Sequence, residues 1–349
     1  MHVDYVIVGF GLAGLAFVDK LIENKKTFIV FEDASQTSSN VAGGVYNPVI
    51  LKRFTPVWQA KEQLEIAIPF YENLEHKFGA KYDYKSDIYR IFKSVEEQNN
   101  WFSAADKPRL TPYLDTTIVN TSFQGIRAGF GFGKVKQTGR LDTKLLLSDY
   151  KEHLASSSLI RYETFDYDAL QISHDSTTYK GISCGKIVFC EGYGMTKNPY
   201  FQYLPMTGTK GELLTIHAPE LAIDFQIKSA VFVLPLGNSY FKVGATFNWD
   251  DKSLECTTKA REELIEKLET VISVPFTVVS QTAGIRPTVK DRRPLVGIHS
   301  KYSQLCILNG LGTRGVMIAP KMAQELYQFL EVGTSLDSEI DIQRFESLI

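Results

Sequence analysis

The sequence predicts an α/β protein in which a sheet-rich part is inserted between pieces of a parallel-sheet part. Three observations lead there. Within the first thirty-two residues a strand, a glycine turn, a helix and a second strand ending in an acid follow one another. A second glycine-rich strand-to-helix junction lies near the other end of the chain, at 305–330. Between them, chiefly from 213 to 247, apolar and polar residues alternate in short runs, the pattern of a sheet with one solvated face.

The opening unit justifies itself residue by residue. Val3, Tyr5, Val6, Ile7 and Val8 form an apolar run rich in β-branched residues, as expected of a parallel strand buried on both faces. Gly9-Phe10-Gly11-Leu12-Ala13-Gly14 follows, then Leu15, Ala16, Val18, Leu21 and Ile22 at helical spacing. Thr27–Phe31 is the second strand, and Glu32 ends it. Gly9 permits the turn, Gly11 lets a pyrophosphate approach the backbone, and Gly14 lets the helix pack close to the sheet. The helix N-terminus offers unpaired N–H groups to phosphates. Glu32, 18 positions after Gly14, stands where a carboxylate accepts from ribose hydroxyls. These features predict a bound dinucleotide. The acid disfavours a 2′-phosphate, and leaves FAD and NAD both open.

Further along, Ser38 to Gly44 is small and polar and reads as a loop, with Gly43 and Gly44 at its end. Helices are expected over 56–78, 94–104, 141–155, 257–272 and 318–330, and strands within 82–92 and 116–123. Ala128 to Gly139 reads as a hairpin or loop. Ile187-Val188-Phe189-Cys190 is a buried strand stopping at Glu191-Gly192, a small turn that lets backbone pass close to a cofactor. Leu305–Leu308 runs into Asn309-Gly310-Leu311-Gly312-Thr313-Arg314-Gly315, whose following helix presents a second N-terminus.

Composition excludes several classes. Hydrophobic residues are 44% and charged residues 22% of 349, so the chain is not disordered. A net charge of −2 speaks against a generic nucleic-acid binder. No apolar window is long enough to span a membrane. The first strand starts at Val3, leaving no room for a signal peptide. Cys184, Cys190, Cys256 and Cys306 have neither zinc nor disulfide spacing and are expected as reduced thiols of a cytoplasmic protein. His2, His76, His153, His174, His217 and His299 make no ligand spacing, so no metal is expected.

Four stretches carry a resemblance: VGFGLAGLAF with VFE at the N-terminus, GTKGELL at 208–214, AGIRPTVKDRRPLVG at 283–297 and NGLGTRGVMIAP at 309–320. In this order they resemble the D-amino-acid oxidase superfamily of FAD-dependent oxidoreductases, which includes glycine oxidase and sarcosine oxidase. GGVYNPVI at 43–50 and GLGTRGV at 310–316 are similar to the oxidase half of the bifunctional enzyme that matures 5-methylaminomethyl groups on the tRNA wobble uridine.

The resemblance implies non-covalent FAD in a Rossmann-like domain of discontinuous segments, 1–78, 140–197 and 280–349. An inserted antiparallel β-sheet substrate domain would comprise 79–139 and 198–279. It implies oxidation of the C–N bond of a small amine or amino acid by hydride transfer to the flavin. Gly9, Gly11, Gly14 and Glu32 match its ADP-binding fingerprint, Gly43 and Gly44 its flavin loop, and Gly310, Gly312, Thr313, Arg314 and Gly315 its loop at the flavin pyrimidine. Arg286 matches the arginine that holds a substrate carboxylate, and Lys242 a lysine that activates oxygen. Thr282-Ala283-Gly284 stands where some members carry a cysteine bound to the flavin.

Each assignment has a plainer counterpart. A carboxylate calls for a planar bidentate donor, which Arg286 supplies; alternatively Arg286 pairs structurally with Asp291. Lys242 is otherwise a solvated strand lysine, and Arg314 a loop cap. Tyr46, Tyr193 and Tyr240 are pocket aromatics or core. Lys290, Arg292 and Arg293 form a solvated turn, or a phosphate-binding patch if the substrate is a tRNA carboxymethylaminomethyl group. A dehydrogenase with an acceptor other than oxygen, and a flavin-bound structural or sensor protein, remain open alternatives.

Overall fold

The computed structural model describes residues 1–173 and 176–348; His174 lies outside the described residues. Its first layer is a mainly parallel sheet. Ile160–Arg161, Phe28–Phe31, His2–Val8, Ile182–Phe189 and Leu305–Asn309 lie side by side and parallel. Thr177–Tyr179 pairs antiparallel with Ile182–Phe189, and Leu295–Ile298 with Leu305–Asn309. The strands read as unbroken apolar runs because both faces are covered. Tyr5, Ile7, Val30, Val188 and Leu308 pack among helix residues, whereas Val6, Ile29, Phe31, Phe189 and Ile307 pack with Phe165, Tyr179 and Phe201.

Register decides where ligands are met. Val8 is level with both Phe31 and Phe189, and Phe189 is level with Ile307. The four chain exits at Gly9, Glu32, Cys190 and Gly310 therefore open on one edge, the carboxyl end of the sheet, where open α/β sheets bind ligands. The two ends of the chain meet there, with the strand Ile182–Phe189 between them.

Helices Leu12–Glu23, Ala60–Phe78 and Gly315–Glu331 pack against one another over this sheet. Pro320 lies inside the last of these and has no N–H to offer the carbonyl of Val316. The Tyr71 hydroxyl donates to that carbonyl instead, at 2.8 Å. The helix begins at Gly315, three residues before the expected start. Ser38–Val41, expected as loop, is a short helix.

The second sheet runs in the order Thr277–Arg286, Thr209–His217, Tyr240–Gly244, Phe232–Gly237, Gln226–Lys228, Ile88–Ile91, Phe132–Val135 and Leu114–Val119. It is antiparallel except that Gln226–Lys228 runs parallel to Ile88–Ile91. The strand Thr277–Arg286 belongs to this sheet along its whole length, beyond the expected boundary at 280. Nine of its ten residues pair with Thr209–His217, across the boundary that the resemblance implied. One face packs Leu214, Ile216, Phe241 and Val243 against Leu264 and Leu268 of the helix Thr258–Glu269. The opposite face, carrying Leu213, Phe232 and Leu234, looks onto the cleft.

Candidate active site

A cleft of about 1160 Å³ runs from the carboxyl edge of the first sheet across the open face of the second. Ligand pockets usually measure ~300–1,000 Å³, so there is room for a dinucleotide together with a small substrate.

Two helices point their N-termini at this cleft, and neither is capped by its own N-cap residue. Gly11 precedes Leu12–Glu23 and Arg314 precedes Gly315–Glu331; neither supplies a side-chain cap, and no acid lies in either first turn. By contrast Ser94, Asp142 and Thr257 cap their own helices with side-chain oxygens. Uncapped N–H groups and the helix dipole favour anionic ligand groups at both ends.

Gly9 and Gly11 line the cleft; Gly14 does not, and acts through packing. A Cβ on Gly14 would run into the Gly9 carbonyl. Glu32 is buried, and its Oε2 accepts from the Phe10 N–H at 2.6 Å. Its Oε1 accepts from the Ala34 N–H at 3.1 Å and from Lys151 at 3.0 Å. A carboxylate has about four acceptor positions, so lone pairs remain for ribose hydroxyls. Gly43, Gly44 and Gly192 line the cleft, as do Gly312, Thr313, Arg314 and Gly315. Gly310 lies just outside it.

Arg286 lies on the wall of the cleft, half-buried. Its guanidinium donates only to backbone carbonyls: NH1 to Lys210 at 3.4 Å, and NH1 and NH2 to Thr246, both at 3.3 Å. The exposed ring of Phe247 lies over it at 4.3 Å. A Cβ at Gly211 would occupy the space the guanidinium fills. Asp291 is engaged by Arg344 at 2.9 Å, and Arg286 has no acidic partner among the described residues. Burial pushes its pKa down to about 10. It is a fixed, uncompensated cation facing the cleft.

Arg314 also lines the cleft, and burial, with Arg292 nearby, lowers its pKa. Lys242 does not line it. Its ammonium donates to the carbonyls of Val41 at 3.3 Å and Ala42 at 3.0 Å, behind the loop that carries Gly43 and Gly44. Burial lowers its pKa. Tyr193 lines the cleft; Tyr46 is buried on Asp83 at 2.8 Å, and Tyr240 lies against His217. Arg293 is engaged by Glu339 at 2.8 Å.

Several site residues carry no signal in the sequence. Ser39 Oγ accepts from the Leu12 N–H at 3.3 Å, and Lys151 reaches Glu32 from a different helix. Glu191 accepts from Tyr167 and, at 2.8 Å, from Asn198. Burial raises its pKa to about 7 against the opposing effect of those bonds. All four cysteines are free thiols, and only Cys256 is exposed. Among the described residues no cluster of three metal-type side chains exists, and no helix is long and apolar enough to cross a membrane.

The glycine edge, the acid at the ribose position and two helix N-termini above a large cleft define a dinucleotide-binding protein. Residues 4–328 match the family described as FAD dependent oxidoreductase, and the chain belongs to that family. The cofactor is FAD, and the cleft fits it in size, donors and charge.

A stretch of 127 residues, 35% of this chain, is 26% identical to the tRNA 5-methylaminomethyl-2-thiouridine biosynthesis bifunctional protein of Idiomarina loihiensis. The aligned stretch covers 21% of that protein. Glycine oxidase from Bacillus cereus has the same fold, with a TM-score of 0.76 at 20% identity over 95% of this chain and 96% of that one. L-proline dehydrogenase from P. horikoshii superposes with a TM-score of 0.78 at 13% identity, over 99% and 98%.

Proposed function

We propose that this oxidoreductase oxidises the C–N bond of a small amine or amino acid bearing a carboxylate, with Arg286 as the anchor. The observation that carries this reading is the cleft-facing guanidinium with no acidic partner among the described residues. A buried cation without a counter-charge is costly unless a ligand supplies one. Two relatives of the same fold, a glycine oxidase and a proline dehydrogenase, are named for amino acids.

FAD, when bound, supplies the two-electron acceptor. Arg286 holds the carboxylate by paired N–H donors, so the adjacent C–H is presented in one orientation. The C–H electron pair leaves with its hydrogen, the amine lone pair closes a C=N bond, and water then splits the imine into a carbonyl compound and an amine or ammonia. Hydride transfer requires no protein nucleophile. Phe247, whose ring lies over the guanidinium, gives that wall an apolar surface.

The test is to add a panel of amines to the purified yellow protein without oxygen and follow loss of the flavin band. Bleaching by carboxylated amines, and not by their decarboxylated analogues, is expected. Bleaching by none of them, or by both equally, refutes the reading. Oxygen consumption with the best substrate then distinguishes an oxidase from a dehydrogenase.

A second substrate draws support from the alignment with the tRNA-modifying protein. A carboxymethylaminomethyl group on a wobble uridine also joins a secondary amine to a carboxylate. Binding of tRNA that falls steeply with salt favours it; absent or salt-insensitive binding removes it.

A further inference from the structure

Acids line only one side of the cleft, the side that also carries Lys197 and Arg314. Its acids, Glu32, Asp33, Glu163 and Glu191, come from the first sheet's edge and the loops beside it. The open face of the second sheet contributes cations instead. Arg286 is at one margin, and Arg90 and Lys228 are toward the other.

Lys228 is distinct from the rest. It stands level with Phe232 on one neighbouring strand and with Arg90 on the other. Arg90 is neutralised by Glu97 at 2.7 Å. Lys228 has no hydrogen-bond or ion-pair partner among the described residues; its ammonium lies 5.7 Å from the Phe232 ring. Burial, with Arg90 and Lys267 adding like charge, lowers its pKa to about 8. Two residues before it, Gln226 is 2% exposed and also lines the cleft. Its Nε2 donates to the Ser86 carbonyl at 3.2 Å, and its buried Oε1 has no partner. An unpaired ammonium beside an orphaned acceptor on a cleft wall is what a ligand's polar end completes.

We infer that Lys228 forms a second anion subsite, so that the substrate is an extended amine with a carboxylate at Arg286 and a further anionic group, carboxylate or phosphate, at Lys228. The inference rests on the proposed role of Arg286. The strands of Arg286 and Lys228 are four steps apart, roughly 19 Å at the usual strand spacing. A single carboxylate cannot serve both, and glycine is too short to reach from one to the other. The free Gln226 Oε1 adds that the distal end carries an N–H or O–H beside its anion.

The test uses the FAD-loaded protein and reads ligand binding from perturbation of the flavin spectrum. The probes are α,ω-dicarboxylates from suberate to hexadecanedioate, long enough to reach across the strands between the two cations, the monocarboxylates of matching length, and ω-phosphonocarboxylates. At one length the dianion is expected to bind at least tenfold more tightly than its monoanion. The better of the two dianion series identifies the distal group. Lys228→Met should erase the tenfold advantage and Lys228→Arg should retain it, which separates lost charge from misfolding. No advantage at any length, or an advantage that survives Lys228→Met, overturns the inference. Monoanion binding abolished by Arg286→Ala upholds the first subsite in either case. Monoanions that bind equally to wild type and Arg286→Ala sink that reading and this one together.

Discussion

Arg286→Ala is the most decisive substitution. In the wild type the guanidinium has only three long bonds, 3.3–3.4 Å, to carbonyl oxygens. A carboxylate would replace weak contacts with charge-assisted ones in a half-buried site. Removing one member of such a pair costs ~2–5 kcal/mol. Phe247 is 64% exposed, so the lid over the pair is partial, and about 3 kcal/mol is the appropriate expectation. At 1.4 kcal/mol per tenfold this is a ~140-fold loss in kcat/KM. The assay compares each carboxylated amine with its decarboxylated analogue in wild type and variant. The wild type should discriminate by about two orders of magnitude, and Arg286→Ala should not discriminate at all. Arg286→Lys should recover only part, because an ammonium lacks the planar fork. Since the cation is unpaired in the ligand-free protein, Arg286→Met should leave the melting temperature unchanged or raise it. A discrimination ratio that survives Arg286→Ala refutes the reasoning, whatever the change in overall rate.

The remaining predictions concern the cofactor edge. Gly14→Ala forces backbone apart where its Cβ meets the Gly9 carbonyl, so the purified protein should lose most of its flavin absorbance. Gly312→Ala meets nothing within 4 Å but has φ +58°, so it should cost only about 1 kcal/mol, read as a small shift in melting temperature with flavin retained. Glu32→Gln leaves Lys151 without its anion and replaces one acceptor oxygen by an NH2 donor, so fewer lone pairs remain for the ribose; titration should show FAD binding at least ~10-fold weaker. Glu191 titrates near 7 when folded, above its ordinary 4.5. Between those values the folded state holds a proton that the unfolded state has lost. Its contribution therefore favours folding at low pH and is lost as pH rises through that window. Glu191→Gln should flatten the dependence of melting temperature on pH between 4.5 and 7, and an unaltered profile counts against this.

Legibility followed the range of the interactions involved. The unit from Val3 to Glu32 could be read directly, because strand, turn, helix and acid are successive and each has a local signature. The junction at 309–315 was equally plain. Lys242 shows the limit. Its place on a strand is a matter of alternation, but the carbonyls of Val41 and Ala42 that its ammonium meets are two hundred residues away in the chain. Arg286 stood out by its neighbours in sequence, yet nothing in the sequence showed that Asp291 would pair with Arg344 and not with Arg286. Lys228 and Gln226 gave no sign, since an unpaired charge or an orphaned oxygen is visible only once every other partner has been placed.

By itself, the sequence determined the class of fold, the dinucleotide fingerprint and the positions of both glycine junctions, because backbone conformation and amphipathic period act within a few residues. Only the tertiary structure decided that four strand ends stand level, that two helix N-termini converge on one cleft, and which cations stay unpaired on its wall. Those are sums over contacts between distant segments. A charge becomes a binding group only when folding has removed water and withheld a counter-ion.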